Sequence, residues 1–179
     1  MREVFSVEIE GVKPYLMCAF KGDEGQDKKK KKGANPTKEQ DCENALYRKP
    51  DKTIYVPSTQ IEATMREGGR DLKFGRMGNY ANIINAGISV EPFELPITPQ
   101  TFSQFIAAVR IPPRTGARVM KGRPRFENWS LSFQIANTDE RLHEATLKEI
   151  LTNAGQFKGI GDWRPKFGLF QIKSWKKEA

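Results

Sequence analysis

Alternating apolar and polar residues predict strands near both ends of the chain and in its second half. In residues 4–20, three apolar side chains alternate with polar ones before a turn at 11–14, and an apolar run follows the turn. The clearest alternation covers 128–136, and the last one covers 169–175. A period of two places successive side chains on opposite faces of a sheet, so we expect half-buried strands in these segments.

Shorter apolar segments indicate further strands. Residues 45–48 and 53–57 are typical of two short strands around a turn, and 105–111 of another, mostly apolar strand. Residues 88–95 contain a proline, which favours an edge strand. Residues 70–85 mix basic, aromatic and glycine residues, a pattern that fits either a short helix or an irregular segment.

A first amphipathic helix is predicted over residues 57–69. Thr59 and Glu62 have the spacing of a capping box, and two glycines can end the helix. The N-terminus of a helix presents free amide groups and a partial positive charge. Ser58 and Thr59 are therefore candidate phosphate-binding residues.

A second helix, over residues 137–154, is the clearest in the chain. Asn137 and Glu140 can form a capping box at its start, and Gly155 stands where such helices stop. His143, the only histidine, falls inside this helix. A solvated or helix-packing role is the simpler interpretation of that residue.

The order strand, helix, strands, helix, strand predicts an α+β fold. It matches a ferredoxin-like (RRM-like) antiparallel sheet with two helices on one face, here with basic loop and hairpin insertions. We expect a single domain over residues 1–179. A protruding basic loop is expected at residues 22–44, and a basic arm at residues 112–126.

A glycine-rich segment, residues 155–170, connects the second helix to the last strand. Its glycines can turn backbone amides outward into an anion-binding concavity, while its cations and aromatic rings suit the phosphates and bases of a single strand. The candidate site residues are Lys158, Gly159, Gly161, Trp163, Arg164 and Lys166. The segment matches neither a P-loop nor a dinucleotide fingerprint. The alternative is a tight connection whose glycines serve chain geometry and whose Trp163 is a core residue.

The positive charge of the chain is concentrated in two further segments. The formal net charge is +8 and the pI about 9.5, which favours an anionic partner. The first segment is a lysine run, either a solvated loop or a finger that orders on phosphate: Lys28, Lys29, Lys30, Lys31 and Lys32. The second is the basic arm, which has no acid among its cations Arg114, Arg118, Lys121, Arg123 and Arg125.

The sequence lacks the residues that several classes of function require. Cys18 and Cys42 are the only cysteines, so neither a disulfide framework nor a zinc motif is present. No apolar run is long enough to cross a bilayer, and the first residues do not resemble a signal peptide, so we expect a cytoplasmic protein. With one histidine, no Ser-His-Asp or Cys-His set can form, and we expect no enzyme, cofactor or metal. Asp23, Glu24 and Asp27 leave a metal-dependent nuclease open.

In two places the chain resembles the RAMP superfamily, the RNA-binding subunits of CRISPR effector complexes. Residues 159–170 are similar to the family's glycine-rich loop between the last helix and the last strand. Residues 56–59, Val-Pro-Ser-Thr, followed by Met65 and Arg66, resemble its Ile-Pro-x-Ser entry into the first helix and the Leu-Arg-like end. The chain has Arg164-Pro165 where those loops usually carry Arg-Gly, and it is shorter than most backbone subunits. A phage or mobile-element relative therefore stays open.

The resemblance implies a non-catalytic subunit that coats single-stranded RNA or DNA, with RNA favoured. Its expected partners are this strand and copies of itself or other subunits of a CRISPR-like or phage-encoded assembly, with no membrane. The resemblance also adds Arg66 to the candidate site and implies a hairpin projecting from the core. Two alternatives remain: a viral or prophage structural protein with no specific nucleic-acid role, and the small nuclease.

Overall fold

The computed structural model describes residues 2–19, 37–76, 78–111 and 116–178. In chain order its strands are β1 (Glu3–Gly11), β2 (Tyr15–Leu16), β3 (Tyr55–Pro57), β4 (Lys73–Phe74), β5 (Gly78–Asn79), β6 (Ile88–Glu91), β7 (Glu94–Pro96), β8 (Ser103–Ile111), β9 (Ala117–Phe126), β10 (Ser130–Asn137) and β11 (Phe170–Lys177). The helices are α1 (Lys38–Asn44), α2 (Ser58–Arg70), α3 (Ala81–Gly87) and α4 (Glu144–Asn153), and α4 continues into a π-helical turn (Ala154–Lys158).

The central sheet has four antiparallel strands in the order β11–β1–β10–β6. Helix α2 lies in the connection from β1 to β6, and α4 lies between β10 and β11. This is the ferredoxin-like arrangement, in which each helix connects two strands that have another strand between them. The fold class predicted from the sequence is confirmed.

One face of this sheet forms the core with α2 and α4. Phe5, Val7 and Ile9 of β1 are at most 3% exposed and share a hydrophobic cluster with Ile61 of α2 and Leu147 of α4. The predicted alternation in β1 and β10 therefore marks the buried face correctly. The opposite face is open and mostly polar, with a shallow depression lined by Ser6, Glu8, Ser132, Gln134, Ser174 and Lys176.

A second sheet, in the order β2–β9–β8, is built from the segment expected as a basic arm. Strands β8 and β9 form a long hairpin, paired from Ser103 opposite Arg125 to Ile111 opposite Ala117. Helix α1 packs against β9 at Gly122, where a Cβ atom would come 2.8 Å from the Cys42 sulfur. Residues 117–126 thus belong to a sheet that is packed on a helix.

Helix α1 corrects the expectation of a loop over residues 22–44. Thr37 and Gln40 form a capping box, in which the Thr37 N–H donates to the Gln40 side chain and the Gln40 N–H donates to the Thr37 hydroxyl. Cys42 is 1% exposed. The prediction was wrong for residues 38–44 because one capping box and one buried side chain suffice to anchor a short polar helix on β9. The lysine run at 28–32 lies outside the described residues.

Both capping boxes predicted for the long helices were wrong. Helix α2 begins at Ser58, and the Glu62 carboxylate accepts a hydrogen bond from the Val90 N–H of β6 at 2.9 Å. Asn137 is 2% exposed at the end of β10, where its amide donates to the Leu142 carbonyl. Helix α4 therefore begins only at Glu144, with His143 as the residue before it.

Residues 45–57 and 70–95 contain more and shorter elements than the sequence predicted. Residues 70–85 form the β4–β5 ribbon and most of α3. Residues 88–95 divide into β6 and β7 around Pro92, whose peptide bond is cis. Residues 45–48 and 53–57 form β3 and one isolated bridge, between Arg48 and Ile54.

Candidate nucleic-acid interface

The glycine-rich loop, residues 159–168, is fixed by hydrogen bonds to three elements. The Thr64 hydroxyl of α2 donates to the Gly159 carbonyl. The Asp162 N–H donates to the Leu16 carbonyl of β2 at 2.9 Å, and the Gly168 N–H donates to the Pro14 carbonyl at 2.8 Å. The loop is therefore held between α2 and the start of the hairpin sheet.

All three glycines of the loop are required by its geometry. Gly159, Gly161 and Gly168 have φ of +70°, +83° and +73°, in the left-handed region that favours glycine. A Cβ atom at Gly161 would overlap the Leu16 carbonyl and the buried Tyr15 ring. The interpretation of the glycines as geometric, which the sequence left open, accounts for these three positions.

The expected run of outward amides is not formed. Six loop N–H groups donate to protein acceptors, those of Gly159, Ile160, Asp162, Trp163, Phe167 and Gly168. A concave anion site needs consecutive free amides, and no two neighbouring loop residues have them here, since Pro165 between Arg164 and Lys166 has no N–H. The prediction of a backbone phosphate cradle was wrong because the amides hold the loop to the core. At the loop itself, an anion would therefore be bound mainly by side chains.

An open groove runs between α2 and this loop, and we call it the α2–loop groove. Its first part, about 390 Å³, lies beside Thr59, Gln60 and Ala63 on one side of α2 and beside Gly161 and Arg164 of the loop. The first turn of α2 has no side-chain cap. The Ser58 N–H donates to the Phe93 carbonyl at 2.8 Å. The following N-terminal amides and the helix dipole give this end of the groove a positive potential.

The second part of the α2–loop groove, about 540 Å³, lies toward the end of α2. It shares Gly161, Asp162 and Arg164 with the first part, so the two adjoin. Its remaining lining consists of Glu67, Phe157, Lys158, Trp163 and Pro165. Lys166 is exposed on the same loop.

Two cations of the groove are bound by carboxylates at the end of α2. Arg164 Nη1 lies 3.2 Å from Glu67 Oε2, and Lys158 Nζ lies 2.5 Å from Asp71 Oδ2. Glu67 and Asp71 are one helical turn apart, which places both beside the loop. The groove therefore holds cations in fixed positions, each beside an anion that a phosphate would have to replace.

The loop also contacts the hairpin through rings and one ion pair. Phe105 of β8 lies 5.6 Å from Trp163 and 5.2 Å from Phe167, measured between ring centroids. Arg123 Nε of β9 lies 3.0 Å from Asp162 Oδ2. Trp163 is 39% exposed, so the alternative that makes it a core residue is wrong.

The hairpin's cations are less free than the sequence suggested. Lys121 Nζ lies 3.1 Å from Asp41 of α1, and Arg125 Nη2 lies 2.6 Å from Glu127. With the Arg123 pair, three of the five arm cations have acidic partners. Arg118 is exposed near the tip, and Arg114 lies outside the described residues. The sequence shows no acid among these cations, and Asp41 and Asp162, which are distant in sequence, reach Lys121 and Arg123 only in the folded chain.

The structure separates the residues predicted at α2. Thr59 lines the groove, whereas Ser58 is 3% exposed and so is not accessible to a ligand. Arg66 Nη1 donates to Asn85 Oδ1 of α3 at 3.3 Å, and Arg66 does not line the groove. Of the loop candidates, Lys158, Gly161, Trp163 and Arg164 line it, and Gly159 is buried.

Groups that could serve catalysis are scattered. Over residues 2–19, 37–76, 78–111 and 116–178, no three His, Cys, Asp or Glu side chains converge as a metal site. Cys18 lines the groove, but desolvation raises the pKa of its thiol, which favours the protonated and weakly nucleophilic form. His143 lies before α4, at the other end of this helix from the loop. Asp23, Glu24 and Asp27 lie outside the described residues.

Within the described part, no helix is long and apolar enough to span a bilayer.

The sequence analysis missed four residues of this region: Gln60, Glu67, Asp71 and Phe157. The groove-facing side of α2 was recognisable from the four-residue spacing of Thr59, Ala63 and Glu67, a helical neighbour pattern. Phe157 is 61% exposed because the π-helical turn continues past the predicted stop at Gly155.

Comparison with known proteins identifies a shared fold. No family model matches the chain, and no curated protein matches it. The chain is similar to a chain in the cryo-electron microscopy structure of the Type III-B Cmr-beta complex bound to cognate target RNA. The TM-score is 0.59 at 10% sequence identity, with 98% of this chain and 60% of that chain covered. The protein thus spans less than two thirds of its structural neighbour, and at this identity the similarity shows the ferredoxin-like fold.

Proposed function

We propose that the protein binds single-stranded RNA in the α2–loop groove without cleaving it, as one subunit of an assembly. One observation carries this proposal. The groove brings together the uncapped first turn of α2, the cations Lys158 and Arg164, and the exposed ring of Trp163. Phosphate-binding groups and a stackable ring along one groove are what a single strand requires.

Each part of the groove suits one part of the ligand. The amides at the start of α2, beside Thr59 and Gln60, suit a phosphate, because a helix N-terminus attracts anions. The guanidinium of Arg164 can bind two phosphate oxygens at once. Lys166 adds an exposed charge on the same loop, for which the described residues show no ion pair.

The open face of the central sheet is less suited to bind RNA than the groove is. In RRM domains that face binds RNA by stacking bases on aromatic side chains. Here Trp175 packs on the core side against Phe5, with ring centroids 5.2 Å apart. The open face of β1, β6, β10 and β11 carries no aromatic ring, and its Glu8 is paired with Lys173. The stacking surfaces lie at the loop instead.

The structural neighbour supports RNA over DNA and an assembly over a single chain. It belongs to a complex that is bound to target RNA. The same comparison offers no support for a phage relative or for a filament of identical copies. We therefore place the protein beside other protein chains on RNA.

The β8–β9 hairpin is the candidate contact with a neighbouring subunit. Ile106 and Met120, which lie on one face of this hairpin, are 37% and 53% exposed, and Val119 on the other face is 37% exposed. Exposed apolar surface of this kind is typical of protein interaction sites. This favours an assembly role for the hairpin next to RNA binding by the groove.

The test is a binding titration of a 20-nucleotide mixed-sequence RNA, the matching DNA and the RNA duplex over a salt series. We expect the single-stranded RNA to bind best, with affinity rising as salt falls. The Arg164→Ala/Lys166→Ala variant should flatten the salt slope by about 1.4, since each lost contact to a single strand contributes about 0.7. Arg141→Ala, which removes a paired arginine before α4 that is 57% exposed, is the control.

The outcomes separate the proposal from its alternatives. Equal salt slopes for the double variant and Arg141→Ala would remove the groove from the binding site. An RNA shortened during incubation with Mg²⁺ would favour the nuclease. Absence of binding together with self-association would favour a structural protein.

A further inference from the structure

The π-helical turn after α4 leaves the ring of one aromatic residue, Phe157, exposed to solvent. Phe157 is 61% exposed, whereas its neighbours Ala154 and Gly155 are buried. The inner side of the turn is closed, because a Cβ atom at Gly155 would meet the Phe170 backbone and ring. π-helical turns occur frequently at functional sites, where the altered helical register redirects side chains. Here the turn directs Phe157 into the second part of the groove.

Trp163 borders the same part of the groove and is held in a special backbone conformation. Its φ is +55°, which is uncommon for a residue other than glycine. The Asp162 carboxylate stabilises this conformation by accepting the Trp163 N–H at 3.0 Å. Phe105 and Phe167 support the indole ring. Such enforced conformations cluster at ligand-binding sites.

We propose that Phe157 and Trp163 form a stacking site for one unpaired base of the RNA, with Lys158 and Arg164 binding the adjacent phosphates. The inference rests on the proposed function and adds the mode of recognition to it. Trp163 contacts Phe105 and Phe167 rather than Phe157, so both rings keep free surface toward a shared space of about 540 Å³. Two aromatic surfaces and two cations around one groove match the requirements of a nucleotide.

This arrangement predicts that the site distinguishes single strands from duplexes but does not distinguish one base sequence from another. Every base has a π-face, so stacking tolerates any sequence. A base inside a duplex is already stacked and paired, and extracting it costs a few kcal/mol. The site should therefore prefer single strands and require a base, whereas contacts to phosphate alone require only the backbone.

The experiment compares Phe157→Ala with Phe93→Ala, a matched control. Phe93 is 58% exposed in the turn between β6 and β7, outside the groove. The probes are a 12-nucleotide uridine RNA and an abasic ribose-phosphate oligomer of equal length. Phe157→Ala should weaken binding of the uridine RNA about 5- to 150-fold and leave the abasic oligomer unaffected. Phe93→Ala should change neither, and Phe157→Tyr, which keeps the ring, should bind as the wild type.

A second measurement does not depend on any variant. A single 2-aminopurine in the uridine RNA should lose fluorescence when the wild-type protein binds, because stacking on an aromatic ring quenches it. If Phe157→Ala binds both probes as the wild type does while Arg164→Ala/Lys166→Ala binds weakly, the stacking site is overturned and the proposed function stands. If the wild-type protein binds neither RNA nor the abasic oligomer, both proposals fail. A weakened Phe157→Ala without 2-aminopurine quenching would also overturn the stacking site.

Discussion

Replacing Glu67 by Gln and Asp71 by Asn should increase the affinity of the protein for RNA. These carboxylates bind Arg164 and Lys158 at 3.2 and 2.5 Å. A phosphate entering the groove must displace them and then remain near their negative charge. Amides of the same shape keep the packing and remove both penalties.

The magnitude follows from distance and exposure. The side chains of Glu67 and Arg164 are each 34% exposed and that of Asp71 is 48% exposed, so water screens them strongly. At the dielectric constant of water, a carboxylate and a phosphate about 6 Å apart repel by about 0.7 kcal/mol. Breaking an exposed ion pair costs about 0.2–1 kcal/mol. Removing both repulsions should then strengthen binding by about 1.4 kcal/mol, and removing both ion pairs should add about 0.4–2 kcal/mol, which together is roughly 20- to 300-fold.

The assay is fluorescence anisotropy with the 20-nucleotide RNA at two salt concentrations. The control must separate the groove from net charge, because the double variant gains two units of positive charge. Glu91→Gln/Asp139→Asn gains the same charge by removing the partners of Arg2 and Arg141, an exposed pair and a partly buried pair outside the groove. We expect the groove variant to bind several-fold tighter than this control.

Equal affinity of the two double variants would show that only net charge matters, and it would refute the argument for the groove. A groove variant that binds more weakly than the control would also refute it, because the carboxylates would then be needed to orient the cations. Melting temperatures serve as a check on folding, and exposed pairs of this kind should change stability by about 1 kcal/mol or less each.

Two further predictions concern stability. Gly161→Ala forces a left-handed backbone at φ +83° and a clash with a backbone carbonyl, so unfolding should become easier by about 3 kcal/mol, seen as a melting temperature lower by roughly 6–12 °C. An unchanged melting temperature would contradict the observed loop. Hydrogen bonds from Arg141 lower the pKa of Asp139 to about 2 from 3.8, so its contribution to stability is complete above pH 4 and is lost as the pH falls toward 2. The free energy of unfolding of Asp139→Asn should therefore fall less between pH 4 and pH 2 than that of the wild type. An equal fall in the two proteins would contradict this.

The sheet and both core helices were predictable because each has one buried face. Alternation in β1 places Phe5, Val7 and Ile9 inward, and a shift by one residue would expose all three. Local spacing failed at the helix starts, where the same side chains have long-range partners. Glu62 binds the backbone of β6 rather than the start of its own helix. A capping signal can therefore be present in a sequence and remain unused in the fold.

The sequence predicted which loop residues share one region but not how they are bonded. Lys158, Trp163 and Arg164 all line the groove, and their role in binding stays a prediction. It did not show that the loop amides are used internally, since their acceptors include Leu16 and Pro14, far away in the chain. Ion pairs between distant residues, such as Arg123 with Asp162, likewise follow only from the tertiary structure.

The acidic partners of the groove cations explain how a fixed site can still bind weakly enough to be reversible. A free lysine or arginine loses up to about 2 kcal/mol of side-chain entropy when it is ordered on a ligand. The pairs of Arg164 and Lys158 with Glu67 and Asp71 reduce this cost, but the loss of the pairs and the repulsion between the carboxylates and a phosphate exceed the saving, because partly exposed pairs order their side chains incompletely. Binding then exchanges one anion for another around cations that stay in place. Such an exchange gives modest affinity at each groove, and stable association with RNA would come from several subunits acting along one strand.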